Sequence, residues 1–540
     1  MNSYTIPEYP NVEQARNIPT SPPPVKKNHS LIRNARFPGS ISYLSSLSCF
    51  YAPASEPVKI ALVSSEVVPY AKTGGLADVS GALAKYLSLD GFDIRVFTPL
   101  YDSTSREGMH PVDFLQEIPV QFGDETLHFS VLTTKLPDSG ADVYFIDSLR
   151  FYNRGKIYTD DKDEYLRFAL LSRAVLECCQ RMGWGPDILH CNDWQTALIP
   201  LYLRTTYNWD TLFSETRTIL TIHNLAYQGA FRSSVVETLG FGQDNDLLHR
   251  EDLERGVFNY MKHGIMYANV ISTVSQTYAK EIQTPEYGEG LQDMLRHRSD
   301  ALAGIVNGVD YEEWNPETDT LIPFHYTVED FSNKKKNTQA LLKRLDLPYD
   351  PEVPVFGVVS RLVSQKGFDL FYEVMEPFVR HYDIRLCVLG SGEHEYEQFF
   401  QALQDRYRHK VCFYRGYSNE LAHLIEAGSD IFLMPSRYEP CGLNQIYSLK
   451  YGTIPVVRKT GGLADTVRHY DPQTGKGNGF VFEHYSPQGF AWGIEQALRI
   501  WQNREAWEQL MRNAMYANWS WEKEVDKYVE LYEWAMGRKG

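Results

Sequence analysis

The sequence predicts an α/β protein built from two doubly wound domains that face a central cleft. Three observations predict this fold class: the length of the chain, an alternation of short apolar runs with amphipathic stretches in two separate series, and one heptapeptide that occurs once in each series. The chain has 540 residues, which is too many for a single hydrophobic core, so at least two domains are expected.

The first series begins at Lys59. The apolar run Lys59 to Ser65 predicts a buried strand, and Gly74-Gly75 followed by an apolar stripe from Leu76 to Leu87 predicts a turn and a helix. Arg95 to Leu100 predicts the next strand. This strand–helix–strand unit implies a parallel sheet with a right-handed crossover. The later elements predicted in this series are strands at 143–147, 188–190, 218–223 and 270–274 and a helix at 165–179.

A second series begins at Val355, after a region from Trp314 to Pro354 in which the pattern weakens. The polar run Asn333 to Asn337 and three prolines place the domain boundary in this region. Strands are predicted at 355–360, 385–389, 411–414, 430–434 and 454–457, with a helix at 368–378. The predicted organisation is a disordered extension (1–57), a Rossmann-like domain (58–320), a linker (321–353), a second Rossmann-like domain (354–518) and a helix that crosses the domain junction (519–540).

Composition excludes several classes of function. The net charge of −16 argues against nucleic acid as the main ligand. Seven cysteines without a C-x-x-C pair indicate a reducing compartment, and no apolar run reaches the roughly 20 residues that span a bilayer. We therefore expect a cytoplasmic protein that binds no membrane. The Ser-rich, acid-poor residues 1–57 leave a plastid transit peptide as the alternative.

The heptapeptide Lys-Thr-Gly-Gly-Leu-Ala-Asp occurs at 72–78 and again at 459–465. Glycines at a helix start let the backbone approach a ligand, and the free amides there attract anions. We interpret the first copy as a ligand contact through Lys72, Gly74 and Gly75. For the second copy, ligand contact and simple turn chemistry are both open.

Candidate functional residues follow predicted strands, where doubly wound domains bind ligands. Arg361 and Lys366 could neutralise a departing diphosphate without a metal. Glu439 precedes a helix near Leu443 and could accept hydrogen bonds from sugar hydroxyls. Asp193 is the better candidate in the first domain, because a single histidine such as His223 is more often structural.

One acidic cluster, Asp160 to Asp163, superficially resembles a metal site. The cluster precedes a predicted helix, where acids interact favourably with the helix dipole, so capping and solvation explain it better. We expect no metal.

Seven motifs occur in an order that resembles one family. They are the two heptapeptides, His-Cys-Asn-Asp-Trp (190–194), His-Asn-Leu-Ala-Tyr-Gln-Gly (223–229), Asn-Gly-Val-Asp (307–310), Ser-Arg-Leu-Val-Ser-Gln-Lys-Gly (360–367) and Glu-Pro-Cys-Gly-Leu (439–443). From Lys59 to its C-terminus the chain resembles bacterial glycogen synthases and plant starch synthases, which share the GT-B fold.

The resemblance implies retaining transfer of glucose from ADP-glucose to the non-reducing end of an α-1,4-glucan, without metal or cofactor. ADP-glucose and the glucan are then the expected partners. For the nucleotide, the resemblance implies Lys72 and Gly75 beside the diphosphate, Arg361 and Lys366 neutralising it, and Tyr417 stacking on adenine. Glu439 and the amides of Cys441, Gly442 and Leu443 would hold the glucose and the phosphate. His223 would face the glucose, and Asp193 and Asn307 would line the same site.

Two positions depart from the family's pattern. Tyr447 stands where many retaining GT-B enzymes have a second Glu, and Asn444 stands where Thr is frequent. Synthases of this type commonly lack the second acid, so activity is still expected. With no obvious protein nucleophile, we favour a front-face route. A UDP-glucose transferase, a glucan phosphorylase and an inactive glucan-binding scaffold are the alternatives, and the sequence leaves glycogen or starch as the product open.

Overall fold

The computed structural model describes residues 56–537. The predicted extension 1–57 therefore lies almost entirely outside the described residues.

The first domain contains a ten-stranded sheet whose order is β12-β11-β8-β7-β1-β2-β6-β5-β3, with β4 paired to β5. The strands are β1 Lys59–Val63, β2 Asp93–Pro99, β3 His110–Pro111, β4 Ile118–Phe122, β5 Glu125–Lys135, β6 Asp142–Asp147, β7 Ile188–Asn192, β8 Arg217–Ile222, β11 Val270–Thr273 and β12 Leu302–Gly304; β9 Ala230–Arg232 and β10 Val257–Asn259 form a separate ribbon. Strands β12 to β6 run parallel, as predicted.

The antiparallel edge formed by β3, β4 and β5 was not predicted. Its signal is present in β4, where Ile118, Val120 and Phe122 are buried and alternate with exposed residues. This period of two is typical of a sheet with one solvated face. The helices around this sheet are α1 Gly75–Leu89, α2 Leu149–Tyr152, α3 Glu164–Met182, α4 Ile199–Arg204, α5 Val235–Thr238, α6 Arg250–Glu254, α7 Tyr260–Tyr267, α8 Gln276–Glu281 and α9 Gln292–His297.

The second domain contains a six-stranded sheet in the order β15-β14-β13-β16-β17-β18, parallel throughout. Its strands are β13 Val355–Val359, β14 Arg385–Gly390, β15 Val411–Arg415, β16 Ile431–Met434, β17 Ile454–Arg458 and β18 Phe480–Phe482. The helices are α10 Lys334–Arg344, α11 Phe368–His381, α12 His394–Arg406, α13 Asn419–Gly428, α14 Asn444–Lys450, α15 Gly461–Thr466, α16 Pro487–Trp501 and α17 Arg504–Met515. Each strand predicted in this series is present.

The polar run that we assigned to a linker begins helix α10. Lys334 is buried, and its Nζ donates to Thr453 Oγ1 at 2.7 Å and to Ala427 O at 3.1 Å. Leu341 and Leu342 of the same helix pack against α13. The region predicted as a linker therefore contains a helix of the second domain, in which hydrogen bonds satisfy the buried ammonium of Lys334.

The last helix, α18 Trp521–Gly537, is helical as predicted. The chain returns to the first domain where Val309 N donates to Trp519 O at 2.8 Å. Trp521, Tyr528 and Tyr532 then join the core that contains Ile60 and Leu62 of β1. The helix thus packs on the first sheet, beyond the junction that we expected it to cross.

The topology fixes where a ligand can bind. In the first sheet β1 lies between β7 and β2, and in the second β13 lies between β16 and β14. Chain connections leave in opposite directions from these two points, which opens a crevice at the carboxyl ends of the strands.

Candidate active site

A cavity of about 610 Å³ lies between the carboxyl ends of the two sheets. Its first-domain wall is formed mainly by the segments after β1, β7 and β8, and its second-domain wall by those after β13 and β16. From the predicted site the lining includes Gly74, Gly75, Asp193, His223, Asn307, Arg361, Lys366, Glu439, Cys441, Gly442 and Leu443. Eleven of the thirteen predicted site residues thus meet in one place.

Lys366 and Glu439 form an ion pair in the second wall. Lys366 Nζ lies 2.8 Å from Glu439 Oε1 and 2.6 Å from Oε2. Ser436 Oγ also donates to Glu439 Oε2, at 3.0 Å. Glu439 is 4% exposed, so these donors are what stabilise its charge in the protein interior.

Positive charge and free amides meet beside that pair. Arg361 is exposed, lines the cleft and makes no ion pair with any residue between 56 and 537. A smaller cavity of about 190 Å³ continues past Arg361 and Lys366 to Gly442, Leu443 and Asn444, where α14 begins. Amides at a helix start combined with two cations suit a phosphate group.

Asn444, the second departure from the family pattern, has a structural contact. Its Nδ2 donates to Val359 O at the end of β13, at 2.7 Å. The side chain therefore ties the start of α14 to the strand that precedes Arg361.

Asp193 and His223 are joined through the backbone. Asp193 Oδ1 accepts from His223 N at 2.7 Å and from Asn224 N at 3.4 Å. Burial raises the pKa of Asp193 to about 7, although these amides act in the opposite direction. Asp193 also has φ of 55°, an uncommon conformation for a residue other than glycine. It holds the His223 loop in place as well as lining the cleft.

The imidazole of His223 is neutral in this environment. Burial lowers its pKa to about 3. Its Nε2 lies 2.9 Å from Asn192 Oδ1, which requires the proton on Nε2 and leaves Nδ1 as an acceptor. His223 can therefore hydrogen-bond a sugar hydroxyl but is a poor general acid.

Asn307 has an unused acceptor in the cleft. The residue is 4% exposed and its Oδ1 has no hydrogen-bond partner among the described residues. A buried amide oxygen without a partner is costly. A ligand hydroxyl in the cleft would satisfy it.

Two predicted residues lie apart from the cavity lining. Lys72 Nζ pairs with Asp78 Oδ1 of its own heptapeptide at 2.7 Å. Tyr417 is 79% exposed, and its Oη donates to Asn419 Oδ1 at 3.2 Å. The structure does not bring either side chain together with the others, so their assigned contacts stay predictions.

Glu66, Tyr158 and Thr73 also line the cleft and were not predicted as site residues. Glu66 is buried after β1 and accepts from Tyr158 Oη at 2.5 Å, from Thr73 Oγ1 at 2.7 Å and from Gly74 N at 3.2 Å. The sequence does contain a signal for Glu66. It is an acidic residue three positions after the first strand of a doubly wound domain, where ligands bind.

Comparisons with known proteins agree with this arrangement. Residues 59–297 match the family described as "Starch synthase catalytic domain", and residues 343–514 match "Glycosyl transferases group 1". A glycogen synthase of Desulforudis audaxviator is 45% identical over 495 residues, which cover 89% of this chain and 97% of the relative. A glycogen synthase of Koribacter versatilis is 44% identical, with 88% and 97% covered.

Solved structures show the same likeness. The catalytic domain of starch synthase IV from Arabidopsis thaliana, bound to ADP and acarbose, superposes with a TM-score of 0.82 and 31% identity, covering 89% of this chain and all of that one. Sucrose-phosphate synthase from Thermosynechococcus elongatus, at 18% identity and a TM-score of 0.54, shares the fold.

Proposed function

The chain belongs to the glycogen and starch synthase family of glycosyltransferases, and on that premise we propose that it transfers glucose from ADP-glucose to the non-reducing end of an α-1,4-glucan with retention of configuration. One observation carries the proposal: Arg361, Lys366 and the amides at the start of α14 converge on a cavity that Glu439 and Asn307 also line. This set offers cations to a diphosphate and hydrogen-bonding groups to a sugar.

The donor occupies the second-domain wall. The diphosphate lies against Arg361, Lys366 and the amides of Gly442 and Leu443, whose fixed positive charge stabilises the negative charge that develops on the leaving group. The glucose lies against Glu439, Asn307 and His223. The glucan approaches from the first-domain wall, which includes Trp194.

We propose a front-face reaction. The bond between C1 of glucose and the phosphate oxygen breaks, the acceptor O4 forms a bond to C1 on the same face, and the O4 proton passes to the departing phosphate. Four buried carboxyl groups of the cleft, those of Glu66, Glu164, Asp193 and Glu439, each accept hydrogen bonds from protein groups. This supports a role for them in positioning. Trapping of a covalent glucosyl-enzyme on any of them would contradict the front-face route.

An ADP-release assay with glycogen as primer tests the donor. We expect turnover with ADP-glucose to exceed turnover with UDP-glucose, and a chelator to leave the rate unchanged because Arg361 and Lys366 supply the cations. Faster turnover of UDP-glucose would assign the enzyme to the alternative donor. Glucan binding without release of either nucleotide would indicate an inactive scaffold.

We infer a cytoplasmic location, supported by six cysteines that are free within residues 56–537. No helix in that part of the chain is long and apolar enough to cross a membrane. Imaging of the full chain fused to a fluorescent protein tests this location in cells. Import of the fusion into plastids would support the transit-peptide alternative.

A further inference from the structure

The second heptapeptide has no role in the site described above. Its residues 459–465 are absent from the lining of the cleft. Lys459 pairs with Glu483 on the surface of its own domain, Nζ to Oε1 at 2.7 Å. The repeated sequence therefore requires another explanation.

Helix α15 starts in this heptapeptide and is hydrogen-bonded to α8 of the first domain. Each of the two helices contributes one carboxylate, which accepts hydrogen bonds from the start of the other helix. Glu281, the last residue of α8, accepts from Thr460 Oγ1 at 2.9 Å and from Gly461 N at 3.1 Å. In the reverse direction Asp465 accepts from Thr277 N at 3.0 Å and from Thr277 Oγ1 at 2.5 Å. We name these four side chains, Thr277, Glu281, Thr460 and Asp465, the capping clasp.

The clasp is favourable for both helices. Each carboxylate lies at the first turn of the opposite helix, where backbone amides lack partners within their own helix. The helix dipole also favours negative charge there. Because α8 follows β11 of the first sheet and α15 follows β17 of the second, the clasp connects the two domains.

The first heptapeptide has the same capping chemistry within one domain. Its Thr73 Oγ1 and Gly74 N donate to Glu66, at 2.7 and 3.2 Å. In both copies, then, a glutamate caps the Thr-Gly step. The difference is that Glu66 belongs to the same domain as its heptapeptide, whereas Glu281 belongs to the opposite domain.

The clasp also contacts the donor-binding loop. Gly462 N donates to Glu439 O at 3.1 Å and to Pro440 O at 3.2 Å. A Cβ at Gly461 would lie 1.8 Å from Glu439 O, and one at Gly462 would lie 2.0 Å from Cys441 O. With no space between these backbones, a displacement of α15 displaces the loop that carries Glu439.

We propose that the capping clasp holds the two domains in the closed arrangement and, through α15, sets the position of Glu439 against the donor glucose. Thr277, Glu281, Thr460 and Asp465 are positioning residues, since none of them lines the cleft. The proposal rests on the proposed function only in assigning the glucose contact to Glu439.

Two substitutions at one position separate this role from a general effect on folding. Thr460→Val removes the hydroxyl donor and keeps the shape of the side chain, whereas Thr460→Ser keeps the donor. We expect Thr460→Val to lower kcat about tenfold or more, since small misplacements of reacting groups have effects of that size. Thr460→Ser and the control Lys459→Ala, which lies in the same heptapeptide outside the clasp, should keep wild-type kcat and KM.

Small-angle scattering measures closure without reference to any donor. We expect Thr277→Val combined with Thr460→Val to give a larger radius of gyration than the wild type. The melting temperature should fall by only a few degrees, because each domain keeps its own core. Wild-type kcat and scattering in this double variant would overturn the proposal. The proposal would also be overturned if Thr460→Val and Thr460→Ser both lost activity in proportion to a lowered melting temperature. Failure of the wild type to use ADP-glucose would instead count against the proposed function.

Discussion

At the residue scale, the Lys366–Glu439 pair shows how one cation can contact two groups. An ammonium has three donors, and the distances of 2.8 and 2.6 Å place two of them on the glutamate. A third donor remains for a diphosphate oxygen. The pair thus links the charge that binds phosphate to the carboxylate that we assign to the sugar.

Lys366→Ala should lower kcat by a factor of about 100 to 1,000, the usual effect of removing one group that stabilises transition-state charge. Glu439→Ala should have an effect of similar size, because the two side chains act together. ADP release under saturating donor checks both variants. Arg344→Ala is the matched control, since Arg344 pairs with Glu420 on the surface of the same domain. Full activity in both cleft variants would remove the site assignment.

Asp193 makes stability depend on pH. The folded protein retains a proton up to about pH 7, whereas the unfolded chain loses it near the ordinary value of 3.8. The folded state therefore binds more protons between these values, and the free energy of unfolding falls as pH rises through them. A pKa unit corresponds to about 1.4 kcal/mol, so the loss is at most about 4 kcal/mol.

Asp193→Asn should remove this dependence, since the amide has no proton to lose and its oxygen can still accept from His223 N. Relative to the wild type, the variant should become steadily more stable between pH 4 and pH 7. Denaturant unfolding at several pH values measures the difference. A difference that stays constant over this range would show that Asp193 ionises normally in the folded protein.

At the element scale, helix α10 shows that a polar run can be structural. Burial lowers the pKa of Lys334 to about 7. Its Nζ is held by Thr453 Oγ1 and by two carbonyl oxygens at the end of α13. The helix thus closes one side of the second domain although its sequence is predominantly polar.

Lys334→Ala should destabilise the second domain by about 3 kcal/mol, because it leaves buried acceptors without a donor. The neighbouring substitution Lys335→Ala should change stability by less than about 0.5 kcal/mol, since Lys335 is exposed. Thermal unfolding of the two variants provides the comparison. Equal melting temperatures would mean that Lys334 contributes nothing measurable.

At the scale of the whole molecule, the first domain is completed by residues from the end of the chain. Trp521 is 1% exposed in α18 and packs in the core of the first sheet. A Cβ at Gly308 would lie 2.7 Å from the Trp521 ring. His190 Nδ1 also lies 2.9 Å from Tyr532 Oη, so a strand of the site depends on this helix.

Trp521→Ala should therefore destabilise the first domain by about 3–5 kcal/mol, as expected for truncation of a large buried aromatic side chain. Met536→Ala, in the same helix but 38% exposed, is the matched control. Calorimetry should show a lower transition for the first domain in the Trp521 variant. A shift confined to the second domain would contradict this assignment of α18.

Much of the fold could be predicted because parallel strands and amphipathic helices have local periodicity. Every strand that we predicted is present, and α1 begins at Gly75 as its glycine pair suggested. The antiparallel edge at β3 to β5 and the buried face of α10 were missed. A strand with one solvated face, such as β4, and a helix stabilised by polar groups, such as α10, have few apolar residues. The sequence therefore does not show which other elements they pack against.

The sequence by itself determined the two doubly wound domains, the family and most of the residues in the cleft. The cleft residues could be predicted because residues that follow parallel strands lie at the same edge of the sheet. The tertiary structure decided which groups pair across the molecule. Lys366 binds Glu439, Lys72 binds Asp78, and the second heptapeptide is capped from the other domain. The same seven residues take different roles because hydrogen-bond partners depend on distance in space, and the sequence does not specify which carboxylate will lie beside each helix start.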